Sequence, residues 1–340
     1  MPAAISRRSA LIGLAAPALI GLTKASRADQ RTLKISHQFP ASHGDTGDFR
    51  DRICRKFAAE VEKRTNGELK FQIYPNSSLM KTFPQFDALK KGALDFSLFP
   101  TTYAGGEIPE LNITFMPAVI SSYEQGYQWK KKEIGHELTA LLESKGIKII
   151  TWVWQSGGIA CRTNPLVRPE DAKGMKVRGG SREMDMMFRA AGATTLNMPS
   201  NEIYISMQTG AIDAAATSST SLISFKLEEL SKSLTSASGR SFFFVFEPLL
   251  ASKQVFDSLP AEHQKIIMAV GEELEPYGLE GSKSDDKTLE NTYRKAGAQV
   301  NEMDDATLGL WRDVARESAW KDFISRTPNT AKFLKLAESA

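Results

Sequence analysis

Ala88-Leu89-Lys90-Lys91-Gly92-Ala93-Leu94-Asp95 and Ser206-Met207-Gln208-Thr209-Gly210-Ala211-Ile212-Asp213 carry one pattern twice. In each, a helix end meets a Gly cap, then Ala, an aliphatic residue and an Asp that opens a strand. The copies lie 118 residues apart in similar surroundings, which predicts two similar α/β lobes. Upstream of the first copy, Leu33-Lys34-Ile35 alternates as a strand, and Phe49, Ile53, Phe57 and Val61 recur every four residues as an amphipathic helix stopped at Asn66-Gly67. Leu69, Phe71 and Ile73 alternate again, a helix over Gln85–Lys91 stops at Gly92, and Leu94–Phe99 reads as a buried strand. Strand, helix, strand, helix, strand is the order of a parallel α/β sheet.

Around the second copy the order restarts. Lys176-Val177-Arg178 reads as a short strand, Arg182–Ala191 as a helix and Ala193–Leu196 as a strand. Glu202–Thr209 is then helical, and Ala211–Ala216 is a strand. Between the lobes, a helix over His136–Ser144 leads into the apolar run Ile147–Trp154, read as the crossing strand. Phe242–Phe246 is expected to return the chain to the first lobe. Helical, charged sequence runs from Ala261 to about Arg294 with a break at Pro276-Tyr277-Gly278. Val300–Met303 suggests an edge strand, with closing helices at Asp305–Glu317 and Lys332–Glu338. The predicted organisation is residues 29–151 for the first part of lobe 1, 152–242 for lobe 2, and 243–340 for the return strand, a bracing helix and C-terminal helices.

The 340 residues are 41% hydrophobic and 24% charged, an ordinary globular composition of about two domains' length. The formal charge of +3 comes from residues 1–28, where Arg7, Arg8, Lys24 and Arg27 stand without an acid; removing them leaves 39 basic against 40 acidic residues. A near-neutral chain argues against nucleic acid as the main partner. Arg7-Arg8, the apolar Leu11–Leu22 and Ser26-Arg27-Ala28 form the charged, apolar and cleavage regions of an export signal, cut after about Ala28. Ser6-Arg7-Arg8-Ser9-Ala10-Leu11 resembles a twin-arginine signal, with simple Sec export as the alternative. The mature protein is expected to be soluble and periplasmic. Cys54 and Cys161 are expected as two buried thiols.

Much enzymatic and cofactor chemistry is without its motif. His37, His43, His136 and His263 form no HExxH pair and no cysteine–histidine metal spacing. There is no GxSxG elbow, no GxxxxGK[ST] loop and no GxGxxG opening a helix, so no metal or cofactor is implied. His37, near the first strand–helix connection, is within reach of a cleft.

Arg178 ends a strand before Gly179-Gly180-Ser181-Arg182, and in parallel α/β folds ligands sit beyond the carboxyl ends of strands. A guanidinium held there grips a carboxylate with two parallel hydrogen bonds, and the following helix N-terminus adds N–H groups around Ser181. The alternative is a surface arginine paired with Glu170 or Asp171. Thr217, Ser218 and Ser219 follow the strand at Ala211–Ala216 and offer hydroxyls to a polar ligand, although a helix cap needs only one of them. Phe99 and Tyr103 occupy the equivalent point of the first lobe. Trp154 and Phe244 are pocket candidates whose default is core packing.

Pro169-Glu170-Asp171-Ala172-Lys173-Gly174-Met175-Lys176-Val177-Arg178 resembles the PEDLKGLKIR signature of solute-binding proteins of tripartite ATP-independent periplasmic (TRAP) transporters, DctP-type. Ala191-Gly192-Ala193, Met198-Pro199-Ser200-Asn201-Glu202-Ile203-Tyr204 and Gln208-Thr209-Gly210-Ala211-Ile212-Asp213 resemble further segments of that family. The resemblance implies a two-lobed periplasmic-binding-protein fold, type II-like, with a cleft between lobes and a long bracing helix. It implies capture of a small organic acid through Arg178 and delivery to the large and small integral-membrane subunits, without catalysis, by a monomer. A second ligand arginine of several members falls near Gly158 or Ala160, so Arg162 or Arg182 is expected to stand in. Ala216-Thr217-Ser218 replaces a polar asparagine segment, and Pro100 replaces an acid. These departures lean the ligand towards a monocarboxylate with an apolar or aromatic body, or a hydroxy or keto acid. The rivals are a periplasmic enzyme with His37 or His43 as base, and a binding protein for an ABC importer or a sensor kinase.

Overall fold

In the computed structural model, residues 30–237 and 241–340 are described, together with Met1. The predicted export signal lies outside the described residues. The chain folds as two α/β lobes, each with its own sheet. The first sheet holds β1 (Arg31–His37), β2 (Leu69–Tyr74), β3 (Phe96–Leu98), β4 (Ile147–Thr151) and, from much later in the chain, β11 (Leu249–Ser252), in the order β2-β1-β3-β11-β4. The second holds β5 (Trp154–Cys161), β6 (Lys176–Arg178), β7 (Thr194–Thr195), β8 (Ala214–Ser218), β9 (Ser233–Thr235) and β12 (Gln299–Asn301), in the order β12-β9-β5-β8-β6-β7, with β10 (Phe244–Phe246) against the start of β5.

The repeated sequence unit is a repeated structure. Gly92 and Gly210 both adopt left-handed conformations, at φ 68° and 75°, where a side chain is strained. Leu94 N donates to Ala88 O, and Ile212 N to Ser206 O, six residues back in each case. The Asp that follows does the same work twice. Asp95 Oδ2 accepts from Lys34 N of β1 at 2.7 Å, and Asp213 Oδ2 accepts from Lys176 N of β6 at 2.8 Å. Each Asp thereby pins the start of a parallel strand pair, β1 with β3 and β6 with β8.

The crossing differs from the expectation of one strand over Ile147–Trp154. The run breaks after Thr151, and Trp152-Val153 carries the chain from one sheet to the other. Glu275 Oε1 accepts from Trp152 N and Val153 O accepts from Glu247 N, so the turning backbone finds its partners off the ladder. Phe242–Phe246 was expected as the return strand. Only Phe244–Phe246 is extended, it pairs antiparallel with Trp154–Ser156, and Leu249–Ser252 makes the return. The strand expected over Ala211–Ala216 runs from Ala214 to Ser218, which takes two hydroxyl residues into the sheet.

The bracing helix is Glu275–Lys295, preceded by Ala261–Glu273. Pro276 lies in its first turn, where a missing N–H costs nothing, so the break falls at Leu274. Near its start Tyr277 packs on the core of the first sheet, around Leu33, Ile35 and Phe57. Within its last two turns, Leu289 and Tyr293 are buried in the second, with Ala160, Ala215 and Leu222. One helix therefore ties both lobes. Cys54 and Cys161 are buried and unpaired. No helix among the described residues is long and apolar enough to cross a membrane.

Candidate functional site

Arg178 ends β6 and is 1% exposed. Its Nε donates to Met198 O at 3.1 Å, Nη1 to Ala216 O at 2.7 Å and Nη2 to Tyr103 Oη at 3.0 Å. A guanidinium has five N–H groups, so one is left on each terminal nitrogen. The alternative pairing with Glu170 or Asp171 does not occur: Glu170 bonds Arg168, and Asp171 accepts from the backbone of Val167 and Arg168. Asp185 is an acid in the field of Arg178. Burial pushes Asp185 up to about 6 against the pull of that guanidinium, and its Oδ1 accepts from Gly179 N.

The glycine pair after Arg178 has a steric reason. Gly180 has φ +93°, and a Cβ there would lie 2.4 Å from Arg178 Nη1. Any side chain would displace the guanidinium. Tyr103 comes from the turn Thr101–Ala104 that follows β3, so its bond to Arg178 joins the two lobes. The same hydroxyl accepts from Ser200 N at 3.1 Å, and Phe99 and Phe83 hold the ring edge-on at 5.8 and 5.3 Å.

Arg178 and Tyr103 line a narrow cleft with Phe115, Thr217, Val245 and Glu247. Pro100, Thr102, Ser200 and Ser218 complete its wall. Ser200 Oγ is buried there without a hydrogen-bond partner among the described residues.

Of the expected site residues, Arg178, Tyr103, Thr217 and Ser218 meet at this cavity. The others do not line it. Arg182 is half exposed and forms a two-point ion pair with Asp322, both contacts at 3.0 Å. Arg162 lies 3.9 Å from Asp213 at the far, helix-cap end of the second lobe. Ser181 caps its helix through Met184 N and donates to Phe115 O. Ser219 begins the next short helix and faces Asp286. Trp154 is enclosed between Trp129 and Phe246, Phe244 packs on Tyr123, and Phe99 supports Tyr103 from behind. His37 is fully buried, with Nε2 3.0 Å from Asp51 Oδ1; that acid also accepts from Ser42 and Arg55. No cluster of His, Cys, Asp and Glu suited to a metal occurs among the described residues.

Two charged residues beside the cavity escaped the sequence reading. Arg50 is fully buried on the helix Phe49–Arg64, its guanidinium 3.6 Å from the Phe39 ring centroid. It bonds Asp48 through Nε and Nη2, and Glu247, Ser218 and Ser221 through Nη1. Burial works against its charge, but Asp48 and Glu247 outweigh it and hold the guanidinium ionised. Glu247 lies between β10 and β11 and lines the cavity itself. Burial pushes its carboxyl above the usual range, opposed by Arg50. Arg50 stands among charged neighbours, Asp48, Asp51 and Arg52, which gave no sign of burial, whereas Glu247 follows the apolar run Phe242–Phe246. A charged residue after such a run was the available signal, because an unpaired buried charge is prohibitive and Glu247 therefore implied a partner.

Comparison with known proteins agrees with this architecture. Residues 47–326 match the DctP model, bacterial extracellular solute-binding protein, family 7. A solute-binding protein of Albidiferax ferrireducens is 56% identical over 311 residues, 92% of each chain. The crystal structure of a TRAP periplasmic solute-binding protein from Rhodoferax ferrireducens with bound malonate superimposes with a TM-score of 0.89 at 56% identity, covering 90% of this chain and 97% of that one. The 2,3-diketo-L-gulonate-binding periplasmic protein YiaO of Escherichia coli is 25% identical over 84% of this chain and 86% of its own. The chain belongs to the DctP family of TRAP periplasmic solute-binding proteins, which bind their solutes for transport and do not transform them.

Proposed function

We propose that this protein captures a small organic acid by its carboxylate at Arg178 and delivers it, as a monomer, to the membrane subunits of a TRAP transporter. The observation that carries this reading is the buried guanidinium, which keeps two N–H groups after three protein bonds, at the wall of the cleft. A carboxylate accepting both would form the charge-assisted two-point pair that favours arginine over lysine. Tyr103 Oη, which already accepts from Arg178 Nη2, Ser200 N and, at 3.5 Å, Gln38 Nε2, has its own hydrogen left for a ligand oxygen. Ser200 Oγ and Thr217 stand by for the rest of the molecule.

Because Tyr103 comes from the first lobe and Arg178 from the second, a ligand held by both binds the closed arrangement more tightly than an open one. That differential affinity is what drives closure. The malonate bound by the Rhodoferax ferrireducens relative favours an acid of a few carbons. Of the expected aromatic residues only Tyr103 lines the wall, joined there by Phe115, while Phe99, Trp154 and Phe244 are committed to packing. We assign the lobes to residues 29–151 and 152–242, with 243–340 returning to brace both, and export to the periplasm by a signal cleaved after about Ala28.

A thermal-shift screen of the mature protein against short carboxylic acids tests the reading. Binding to the folded form alone raises stability by about 4 kcal/mol at a thousandfold excess over Kd. A large shift confined to small carboxylates supports the proposal. No shift with any of them, in protein shown by mass spectrometry to carry no bound acid, contradicts it.

A further inference from the structure

Glu247 is a carboxylate set in the wall of a cavity meant for an anion, an arrangement that needs a reason. The side chain is 5% exposed. Arg50 Nη1 and Gln155 Nε2 both donate to Oε2, the first at 3.0 Å. Oε1 has no hydrogen-bond donor among the described residues. Three sides of the acid are therefore fixed. The helix Phe49–Arg64 presents Arg50, whose other bonds run to Asp48, Ser218 and Ser221; β5 presents Gln155; and β6 contributes the more distant Arg178, whose charge, with that of Arg50, opposes the upward push of burial on the acid.

Around Arg50 and Arg178 stand four acids without a ligand, Asp48, Glu247, Asp185 and Asp285. An acid held at Arg178 adds negative charge to the same cleft. A plain apolar group against Oε1 would leave a buried carboxylate oxygen without a donor, and a second ligand carboxylate would meet like charge. An ionised carboxylate only accepts hydrogen bonds. What suits Oε1 is a group that donates.

Resting on the carboxylate reading of Arg178, we propose that Glu247 sets the specificity of the cavity by accepting a hydrogen bond through Oε1 from a donor group on the bound acid, a hydroxyl or an ammonium. The ligand is then a small hydroxy or amino acid, held by its carboxylate at Arg178 and by its donor at Glu247. A site built for such a bond rejects analogues that lack the donor, because the protein group is left unpaired.

The test is calorimetric titration at neutral pH of propionate against lactate, 3-hydroxypropionate, alanine and β-alanine, and of malonate against hydroxymalonate. The wild type, Glu247→Gln and Arg178→Ala are compared. At least one donor-bearing acid is expected to bind the wild type about tenfold or more tighter than its plain counterpart. Comparing the hydroxy with the amino acids then identifies the donor. In Glu247→Gln the amide oxygen keeps the bonds from Arg50 and Gln155 and the NH2 faces the cavity, so the preference is expected to vanish or reverse towards malonate. Equal binding of plain and donor-bearing acids by the wild type, with both lost in Arg178→Ala, overturns the role of Glu247 and leaves the carboxylate reading standing. A donor preference that survives with full affinity in Arg178→Ala overturns the carboxylate reading and supports Glu247. Tighter binding of malonate than of every donor-bearing acid overturns the proposal, since it requires Glu247 to donate. Binding of none of these acids by the wild type overturns both. The wild-type comparison stands even if Glu247→Gln fails to fold.

Discussion

Tyr103 Oη lies 3.0 Å from Arg178 Nη2, a single hydrogen bond that joins the turn after β3 in one lobe to the end of β6 in the other. The phenol fixes one of the five donors of the guanidinium, while Met198 O and Ala216 O fix two more. The remaining pair is thereby held in one orientation before any ligand arrives. Such preorganisation reduces the cost of binding.

Tyr103→Phe should weaken both the closed complex and the fold. The ring contacts with Phe99 and Phe83 survive, but the acceptor for Arg178 and Ser200 N is gone. We expect a lower melting temperature without ligand, since the bond to Arg178 is already made there and one buried hydrogen bond to a charged group is worth about 1.5–3 kcal/mol, and an affinity about tenfold weaker, chiefly through faster dissociation. Stopped-flow dissociation rates check this; an unaltered rate would remove Tyr103 from the site.

Gly180→Ala should abolish binding with only a modest loss of stability. The added Cβ would lie 2.4 Å from Arg178 Nη1, at a φ of +93°. Left-handed backbone costs an ordinary residue about 1–2 kcal/mol, whereas displacing the guanidinium removes the ligand's partner. Chemical denaturation and titration of the same variant distinguish the two effects.

Stability should fall as pH rises across the mildly acidic range. Burial raises Glu183 from 4.5 to about 7 and Asp185 from 3.8 to about 6. The folded state thus holds protons that the unfolded state has released, and ionising these groups destabilises it. The favourable contribution is complete below the unfolded values and is lost on the way to about pH 7. Glu183→Gln, which keeps an oxygen for Arg326, should flatten the profile between pH 4.5 and 7 and stabilise the protein at neutral pH by about 2–3 kcal/mol. Urea unfolding across that range is the measurement, and an unchanged slope would contradict it.

Gly92→Ala and Gly210→Ala test the repeat. Each places a Cβ at positive φ in an equivalent cap, one per lobe. We expect losses of about 1 kcal/mol each, adding in the double variant because the sites share no partner. A strongly non-additive pair would mean that the two caps are not independent copies.

The fold was largely legible because its signals are local. A Gly cap, a period of four in Phe49–Val61 and alternation in Leu69–Ile73 depend on near neighbours in sequence, and each element formed where expected. Arg178 was legible for a related reason, since the end of a short strand before two glycines fixes its place in any parallel sheet. The rest of the site depends on which segments meet across the cavity. Glu247 acquires meaning only when Arg50, 197 positions away, is found beside it. The aromatic candidates failed on the same ground. Trp154 and Phe244 belong to paired strands whose rings turn into the core, a choice set by the neighbouring strand and invisible in the residue itself. Arg162 and Arg182 were drawn in by charge alone and have acids at hand on the surface.

The most direct test of the central claim is calorimetric titration of wild type and Arg178→Ala with whichever acid gives the largest thermal shift. Removing one partner of a buried charge pair costs about 2–5 kcal/mol, so the variant should bind at least about thirtyfold more weakly while its unliganded fold, followed by circular dichroism, is kept. Equal affinity in a folded Arg178→Ala protein would contradict the account, because the acid would then be held elsewhere.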